Sequence, residues 1–345
     1  MSGIRKTVLT GALAAIALVL GVLPASAHDA TPGWLSGMGG DDPVGFGTFR
    51  GSPVEIREVW MNSPDLWNLA PGGELHNYKG PLSASITVPT WTSWHDVAKG
   101  KQDKVWRATA KQLKAYRKGA AVTYVSPFWE FNGDWADWSV TRTSQGKKDF
   151  RDGFARLSKI MRHEMPEVKI ILPAHCHRSL PKGMMPPRSS YDVQGCTVYN
   201  SWLWSPDGAV SMADLENLRK RAVATKKPMA ITEWGNCSDP DSRCGGGEAP
   251  AYMDRMYAWA KKNAGKGKGR LLFETYYNIE PQYQLVDEHG CMTTTQPATA
   301  RAYARNFGKA LVAGDPRSTP CPEPTTPPPS TPTPPTPPTP SGSGS

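Results

Sequence analysis

Beyond its amino-terminal segment, the chain lacks any apolar run long enough to cross a lipid bilayer. Residues 1–27 instead have the pattern of a removable signal peptide. Two basic residues precede the apolar run Val8–Leu23, and small residues at positions 25–27 fit a cleavage site. We therefore expect a secreted, extracellular protein that begins at His28 and does not insert into membranes.

The chain also lacks the C-x-x-C spacing of zinc and redox sites, although it contains six cysteines. An even number of cysteines in an exported chain indicates disulfides, but sequence alone does not choose among the possible pairings. The short separation of two cysteines favours one pair, and proximity along the chain then gives two more. The expected pairs are Cys237–Cys244, Cys176–Cys196 and Cys291–Cys321.

Two other common chemistries lack the residues that they require. No serine lies in a G-x-S-x-G turn, so the sequence does not support a Ser-His-Asp hydrolase. His175 and His177 form a His-x-His pair without a recognisable third ligand, so we expect no metal site there.

A concentrated basic face is missing as well. The formal net charge is +9, and Arg5 and Lys6 of the signal segment contribute two of these charges. The other basic residues are scattered, apart from the run Lys261–Arg270, which is typical of a solvated helix end and loop. We expect no nucleic-acid partner.

Composition divides the chain into three parts. Residues 318–345 are almost entirely Pro, Thr and Ser, a composition that forms an extended, disordered linker or tail. A tail of this kind usually joins modules, and a carbohydrate-binding module is the partner domain we would expect beyond it. Residues 28–317 have the length of one large α/β barrel domain, which we expect to be a monomer.

Apolar runs alternate with amphipathic segments, which predicts a parallel sheet and a (β/α)8 TIM barrel. Only seven strands are recognisable, and we expect the eighth between residues 53 and 80. The predicted strands are Pro43–Phe49, Ser83–Val88, Val122–Phe128, Val168–Leu172, Val193–Trp202, Pro228–Thr232 and Arg270–Tyr277. The predicted helices are Val54–Met61, Lys104–Lys118, Lys148–His163, Ser211–Thr225 (capped by Ser211), Pro250–Asn263 and Ala298–Val312.

The stretch Val122–Trp138 ends its apolar run in a cluster of aromatic and polar residues around Glu130. A strand end with a solvated Glu is one interpretation, and the acid/base end of a sugar-cleaving site is the other. If Val122–Phe128 is the fourth strand, Glu233 ends the seventh. The carboxyl ends of barrel strands face one mouth, where barrel enzymes place their chemistry. Two carboxyls at this mouth suit glycoside hydrolysis, which needs a proton donor and a nucleophile.

Two segments resemble glycoside hydrolase family 26, the β-mannanase and endoglucanase family of clan A. The segment Phe128–Trp135 (FWEFNGDW) is similar to the family's His-Glu-Met-Asn-Gly-x-Trp motif. The segment Lys227–Gly235 (KPMAITEWG) is similar to its strand-seven nucleophile segment. The resemblance covers roughly residues 45–277. It implies that Glu130 is the acid/base, that Glu233 is the nucleophile, and that the anomeric configuration is retained.

Further site residues follow from the resemblance and from position. The resemblance implies that Tyr199 hydrogen-bonds the nucleophile and that Asn132 and Trp135 shape the site near Glu130. The family has His before the acid/base whereas this chain has Trp129, so mannan is not assumed as the substrate. The remaining expected substrate-binding residues are Trp129, Trp204, Trp234, Glu274 and Tyr276. For Glu274, a sugar contact and a buried ion pair with Arg50 are both open.

These features predict a retaining hydrolase that cleaves a β-linked polysaccharide, β-mannan or a related β-glycan, through Glu130 and Glu233. An endo-acting enzyme is expected, and the chemistry needs no metal or organic cofactor. Two alternatives stay open: a catalytically inactive glycan-binding barrel, and a transglycosylase on the same scaffold. Reducing-sugar release and products longer than the substrate distinguish them.

Overall fold

Eight parallel strands form a closed barrel in sequence order, with β8 returning to pair with β1. The computed structural model describes residues 33–88, 90–200, 207–239, 247–287 and 290–310, together with Asp315 and Arg317. The strands are β1 (Leu35–Gly39), β2 (Arg57–Asn62), β3 (Leu82–Thr87), β4 (Thr123–Pro127), β5 (Lys169–His175), β6 (Val193–Asn200), β7 (Met229–Asn236) and β8 (Leu271–Tyr277). The predicted (β/α)8 TIM barrel is therefore confirmed.

Helices follow the strands and cover the outside of the barrel. In the described residues they are α1 (Pro43–Arg50), α2 (Trp94–Lys99), α3 (Asp103–Tyr116), α4 (Ser144–Glu164), α5 (Ala209–Thr225), α6 (Pro250–Asn263) and α7 (Pro297–Phe307). Their apolar faces pack on the strands in two large clusters, one around β2–β5 and one around β6–β8 and β1. None of these helices is long and apolar enough to span a membrane.

The segment predicted as the first strand is a helix, α1. Asp42 caps this helix by accepting a hydrogen bond from the backbone N–H of Gly45 at 2.8 Å, and Pro43 suits its first turn. Phe46 and Phe49 are three residues apart and both are buried, as on one face of a helix. The prediction of Pro43–Phe49 as a strand was wrong. The segment is short and has few apolar residues, so its pattern does not distinguish the two-residue period of a strand from the 3.6-residue period of a helix.

The segment Val54–Met61, predicted as a helix, instead contains β2. β2 is the strand that was expected between residues 53 and 80, but it lies in the segment that was predicted to be a helix. The true first strand, β1, has the sequence LSGMG, which lacks the usual β-branched residues. A Cβ on Gly37 would lie 2.0 Å from the carbonyl oxygen of Ile56, and one on Gly39 would lie 2.4 Å from the ring of Trp60. Close approach between β1 and β2 therefore requires glycine at both positions.

From β3 onward the predicted order of strands and helices is confirmed, with small shifts at the ends and one addition, the short helix α2, which was not predicted. The start of one helix also differs: α5 begins at Ala209, with Gly208 in the N-cap position. Ser211 is buried inside the helix, where its hydroxyl donates to the backbone oxygen of Tyr199 at 3.3 Å. It is therefore not a helix cap.

The described residues contain the expected disulfide Cys176–Cys196, which joins the loop after β5 to the middle of β6. Cys237 and Cys291 are also disulfide-bonded. The partners predicted for them, Cys244 and Cys321, lie outside the described residues. The same holds for the predicted signal peptide, residues 1–27, and for the predicted tail, residues 318–345.

Candidate active site

A cavity of about 440 Å3 opens at the carboxyl ends of the strands. This is the size range of small-molecule sites, and it lies where barrel enzymes place their chemistry. Its lining is a mixture of carboxyl, imidazole, guanidinium and aromatic side chains. The lining residues are Glu130, Trp135, His175, His177, Arg178, Tyr199, Glu233, Tyr277, Glu280 and Tyr283.

Glu130 lies in the turn that follows β4. Its backbone has a positive φ of 54°, a conformation that non-glycine residues rarely adopt, and Phe128 has φ 55°. The backbone N–H of Glu130 donates to the carbonyl oxygen of Pro173 at 2.9 Å, which fixes the turn to β5. At the carboxyl, the hydroxyl of Thr197 donates to Oε1, and Trp135 Nε1 donates to Oε2 at 2.8 Å. Backbone strain and two donors thus hold this carboxyl in one position.

Glu233 lies within β7, which continues to Asn236 instead of ending at the carboxylate. Both of its oxygens accept hydrogen bonds. The phenol of Tyr199 donates to Oε1, and Trp60 Nε1 donates to Oε2 at 3.1 Å. The resemblance implied the contact from Tyr199, whereas the contact from Trp60 was not predicted.

A single strand, β6, carries one donor to each carboxyl. Thr197 and Tyr199 are two residues apart and therefore face the same side of the strand, with a spacing of about 6.7 Å along it. Thr197 contacts Glu130, and Tyr199 contacts Glu233. The two carboxyls thus meet in one cavity although 103 positions separate them in the sequence.

The environment of the two carboxyls disfavours their charged forms. Burial raises the pKa of Glu130 above its usual value. Burial and then the charge of Glu130 raise the pKa of Glu233 further. The two neighbouring, partly buried carboxyls therefore titrate as a unit, and their environment favours retention of a proton by the pair. Burial also raises the pKa of Tyr199, so its phenol stays neutral and donates a hydrogen bond to Glu233.

Three residues expected to contact substrate lie behind the cavity wall. Trp234 is fully buried, and its Nε1 donates to Oε2 of Glu274. Glu274 and Tyr276 are also buried, and Tyr276 stacks on Phe46 of α1. Strand residues alternate between the two faces of a barrel wall, so these side chains lie between the strands and the outer helices. None of the three lines the cavity.

For Glu274, burial argues against the sugar contact, and no ion pair with Arg50 within 4 Å is present among the described residues. Burial raises its pKa to about 7, and the charge of Arg50 acts in the opposite direction. Arg50 is itself buried and donates to Ser36 Oγ at 2.9 Å. Glu274 and Arg50 thus belong to a polar cluster between β1, β8 and the helices.

The residue of β8 that does reach the cavity is Tyr277. The sequence analysis placed Glu274 and Tyr276 on the face of β8 towards the cavity, whereas in the structure Tyr277, one residue further along, is on that face. Phe273, four residues before Tyr277 and on the same face of the strand, lies in the apolar cluster that fills the barrel interior. Trp60 was missed for a different reason, because its segment was read as a helix.

Two residues of the motif after β4 act as supports. Asn132 is buried, and its side chain hydrogen-bonds the backbone of His175 and Arg178. Trp129 is not among the lining residues; its ring lies 5.0 Å from that of Trp138, whose Nε1 donates to the Trp129 carbonyl at 2.7 Å. Trp204 lies outside the described residues.

The His-x-His pair lies in the cavity, but it does not resemble a metal site. His177 forms an ion pair with Asp214 through Nδ1, and its Nε2 lies 2.9 Å from the carbonyl oxygen of Tyr199. These hydrogen bonds raise the pKa of His177 against the effect of burial. Among the described residues no group of three or more His, Cys, Asp or Glu side chains could hold a metal ion.

A third carboxyl lies inside the barrel on β2. Glu58 is 1% exposed and accepts a hydrogen bond from Ser85 Oγ at 2.8 Å. Its other oxygen has no hydrogen-bond partner in the described part of the chain. Burial raises the pKa of Glu58 to about 8, and its charge contributes to the raised pKa of Glu233.

Glu58 is expected to make the folded protein less stable as the pH rises from about 4 towards 8. Glu in an unfolded chain has a pKa of about 4.3. Between that pH and about 8, the folded state therefore keeps a proton on Glu58 that the unfolded state releases. We predict that Glu58→Gln increases the free energy of unfolding at pH 7 by about 2–4 kcal/mol, and by much less at pH 5. Urea unfolding at both pH values measures this.

The control is Glu167→Gln, which removes the same charge from an exposed position after α4. It should change neither the stability nor its pH dependence appreciably. An unchanged pH dependence in Glu58→Gln would show that Glu58 is not held neutral.

Comparison with known proteins gives a likeness of fold. No protein-family model and no curated protein matches this chain. A GH26 β-mannanase from Bacteroides ovatus matches with 15% identity, covering 83% of this chain and 92% of its own, at a TM-score of 0.52. The YdhT protein from Bacillus subtilis matches with 14% identity, 81% and 87% coverage and a TM-score of 0.55. A double mutant of a Cellulomonas fimi endo-β-1,4-mannanase matches with 14% identity, 81% and 72% coverage and a TM-score of 0.57. The chain thus has a family 26-like (β/α)8 barrel, as the motif resemblance predicted.

Proposed function

We propose that this protein is a secreted, endo-acting, retaining glycoside hydrolase that cleaves β-linked polysaccharide, a β-mannan or a related β-glycan. One observation carries the proposal. Glu130 and Glu233 line the same cavity at the ends of β4 and in β7, and each is held by two hydrogen-bond donors. A carboxyl pair whose environment retains one proton is the equipment that this reaction requires.

In the first step, Glu130 gives its proton to the glycosidic oxygen while a carboxylate oxygen of Glu233 attacks the anomeric carbon. The bond to the leaving sugar breaks, and an ester bond to Glu233 forms. In the second step, Glu130, now a carboxylate, removes a proton from water, which attacks the anomeric carbon and releases Glu233. Each carboxyl returns to its starting state, and no cofactor takes part.

These roles require that the pair lose its first proton from Glu233. Hydrogen bonds from Tyr199 and Trp60 stabilise the carboxylate form of Glu233, and they act against burial and the charge of Glu130, which raise its pKa. They also leave the carboxylate little freedom to rotate, which orients it for attack. Glu130 accepts hydrogen bonds from a neutral hydroxyl and an indole, and among the described residues the one basic side chain within ion-pair distance of it is His175, which is neutral.

Aromatic side chains supply surfaces for sugar rings in the same cavity. Trp135 is 46% exposed, and its indole is fixed by the bond to Glu130. Tyr277 also lines the cavity, and its ring makes edge-on contacts with those of Tyr199 and Tyr283. Such faces bind the apolar sides of pyranose rings. The polysaccharide is thus expected to cross the cavity between Trp135 and the tyrosines.

The test is hydrolysis of a panel of mannan, mixed-linkage glucan, xylan and wall glycans, followed by proton NMR of the first product. Release of reducing sugar with the β-anomer formed first supports the proposal. An α-anomer as the first product would indicate inversion, which requires a wider separation of the carboxyls. Binding without any release would favour the glycan-binding barrel, and products longer than the substrate would favour a transglycosylase.

A further inference from the structure

Two hydrogen bonds from one side chain fix the backbone of His175 in the cavity wall. It is the last residue of β5, and one side chain fixes both of its backbone groups. Asn132 Oδ1 accepts from the His175 N–H at 2.7 Å, and Asn132 Nδ2 donates to the His175 carbonyl at 3.0 Å. Both residues are buried, so the position of the imidazole relative to the turn carrying Glu130 is fixed.

The ring of His175 points one nitrogen at the proposed proton donor. Nε2 lies 3.8 Å from Oε1 of Glu130, and the ring meets that of Trp135 edge-on at 5.0 Å. The other nitrogen, Nδ1, is buried and has no hydrogen-bond partner among the described residues. A buried polar atom without a partner is rare and calls for a reason.

Its charge state narrows the choice of tautomer. Burial lowers the pKa of His175 to about 3, and the charges of His177 and Arg178 act in the same direction. The imidazole is therefore neutral and carries one N–H. A proton on Nδ1 would be a buried donor without an acceptor, which proteins avoid. A proton on Nε2 instead points to a carboxyl oxygen.

We infer that His175 is a positioning residue for the proton donor: its Nε2–H donates to Oε1 of Glu130 once Glu130 has given up its proton. This role rests on the proposed function of Glu130. At 3.8 Å the contact is too long for a hydrogen bond in the resting acid, whose Oε1 already accepts from Thr197. A carboxylate oxygen can accept more than one hydrogen bond, and the bond from His175 becomes favourable as negative charge develops on Glu130.

The surrounding charged groups support a neutral donor at this position. Glu130 and Glu233 face it across the cavity, and His177 and Arg178 follow it in the same loop. His177 is already paired with Asp214, and Arg178 with Asp134 at 3.2 Å. A cation beside Glu130 would favour loss of the proton that Glu130 must keep. A neutral N–H instead stabilises Glu130 after its proton has been transferred to the leaving group.

The test compares His175→Leu with His175→Gln, which keeps an N–H donor. Aryl glycosides of the sugar identified by the panel provide good and poor leaving groups. We expect His175→Leu to lower kcat about 10- to 100-fold with poor leaving groups. With a dinitrophenyl leaving group, which needs little proton transfer, kcat should stay within about twofold of the wild-type value. The alkaline limb of kcat/KM should move to higher pH, because Glu130 loses a group that stabilises its carboxylate. His175→Gln should restore both properties in part. Equal losses with both leaving groups and an unmoved limb would overturn the inference.

A second measurement does not depend on activity. Nitrogen-15 NMR of the wild-type protein should show His175 as the neutral Nε2–H tautomer at pH 6, and Glu130→Gln should shift its Nε2 resonance. An Nδ1–H tautomer or a protonated ring would overturn the role of His175. If the panel shows no hydrolysis while this tautomer is present, the proposed function has failed and the placement of His175 has not.

Discussion

Replacing Glu233 with alanine is expected to reduce polysaccharide hydrolysis by about 10^4-fold or more, as loss of a nucleophile does in other covalent mechanisms. We expect no other side chain of the described cavity to take its place, because Glu130 is the proposed proton donor and Glu280 lies on the exposed loop after β8. The measurement is turnover on the substrate found by the panel. Added azide should restore cleavage of an activated aryl glycoside and give a glycosyl azide of inverted configuration.

The fold should survive this change. Glu233 is a partly buried carboxyl whose pKa is raised by burial and by Glu130, so its removal takes away a costly group and leaves a polar cavity. Thermal unfolding should therefore show no loss of cooperativity. Glu280→Gln, in the same cavity, is the matched control and should retain activity within a few-fold. Wild-type turnover in Glu233→Ala would refute the assignment.

Replacing Glu130 with glutamine is expected to have the second largest effect, with a pattern that depends on the substrate. Loss of a general acid costs about 10^2- to 10^4-fold, and the loss should be full on polysaccharide, whose leaving group needs a proton. A dinitrophenyl glycoside should still form the covalent intermediate, which then accumulates because the general base is missing. Pre-steady-state kinetics should show a burst of dinitrophenol followed by slow turnover.

The pH profile provides a second signature of Glu130. In the wild type, activity should rise with pH as the pair loses its first proton and fall as it loses the second, because burial raises both pKa values. With Glu130→Gln the alkaline fall should disappear for the activated substrate. Asp134→Asn, four residues away and exposed, is the control and should keep both limbs. An alkaline limb that persists in Glu130→Gln would assign it to another group.

The part of the fold from β3 onward was readable from sequence because its strands are short segments rich in apolar and β-branched residues between turn formers. The first two strands were not. β1 contains two glycines that are needed for close contact with β2, and glycine carries no strand signal. In β2, Glu58 and Trp60 face the barrel interior, so polar and aromatic residues interrupt the expected apolar pattern.

The candidate site shows the same division. Glu130 and Glu233 were found because each follows or ends a recognisable apolar run, and the motif resemblance supplied Tyr199. Their other partners depend on register: Trp60 and Tyr277 reach the cavity only through the alternation of β2 and β8. A shift of one residue exchanges the two faces of a strand, which is why Glu274 and Tyr276 were assigned to the wrong side. No local pattern distinguishes these alternatives in a strand that is buried on both faces.

The side chains that hold the two carboxyls are all uncharged. Thr197 and Trp135 serve Glu130, and Tyr199 and Trp60 serve Glu233. Dissolved ions screen exposed charge pairs and have little effect on buried dipolar contacts. At the cavity rim, by contrast, Arg178 and Asp134 form an exposed ion pair beside Trp135. We therefore expect ionic strength to affect the cavity entrance and to leave the geometry of the carboxyl pair unchanged. In the proposed enzyme, substrate binding and bond cleavage should then respond separately to salt concentration.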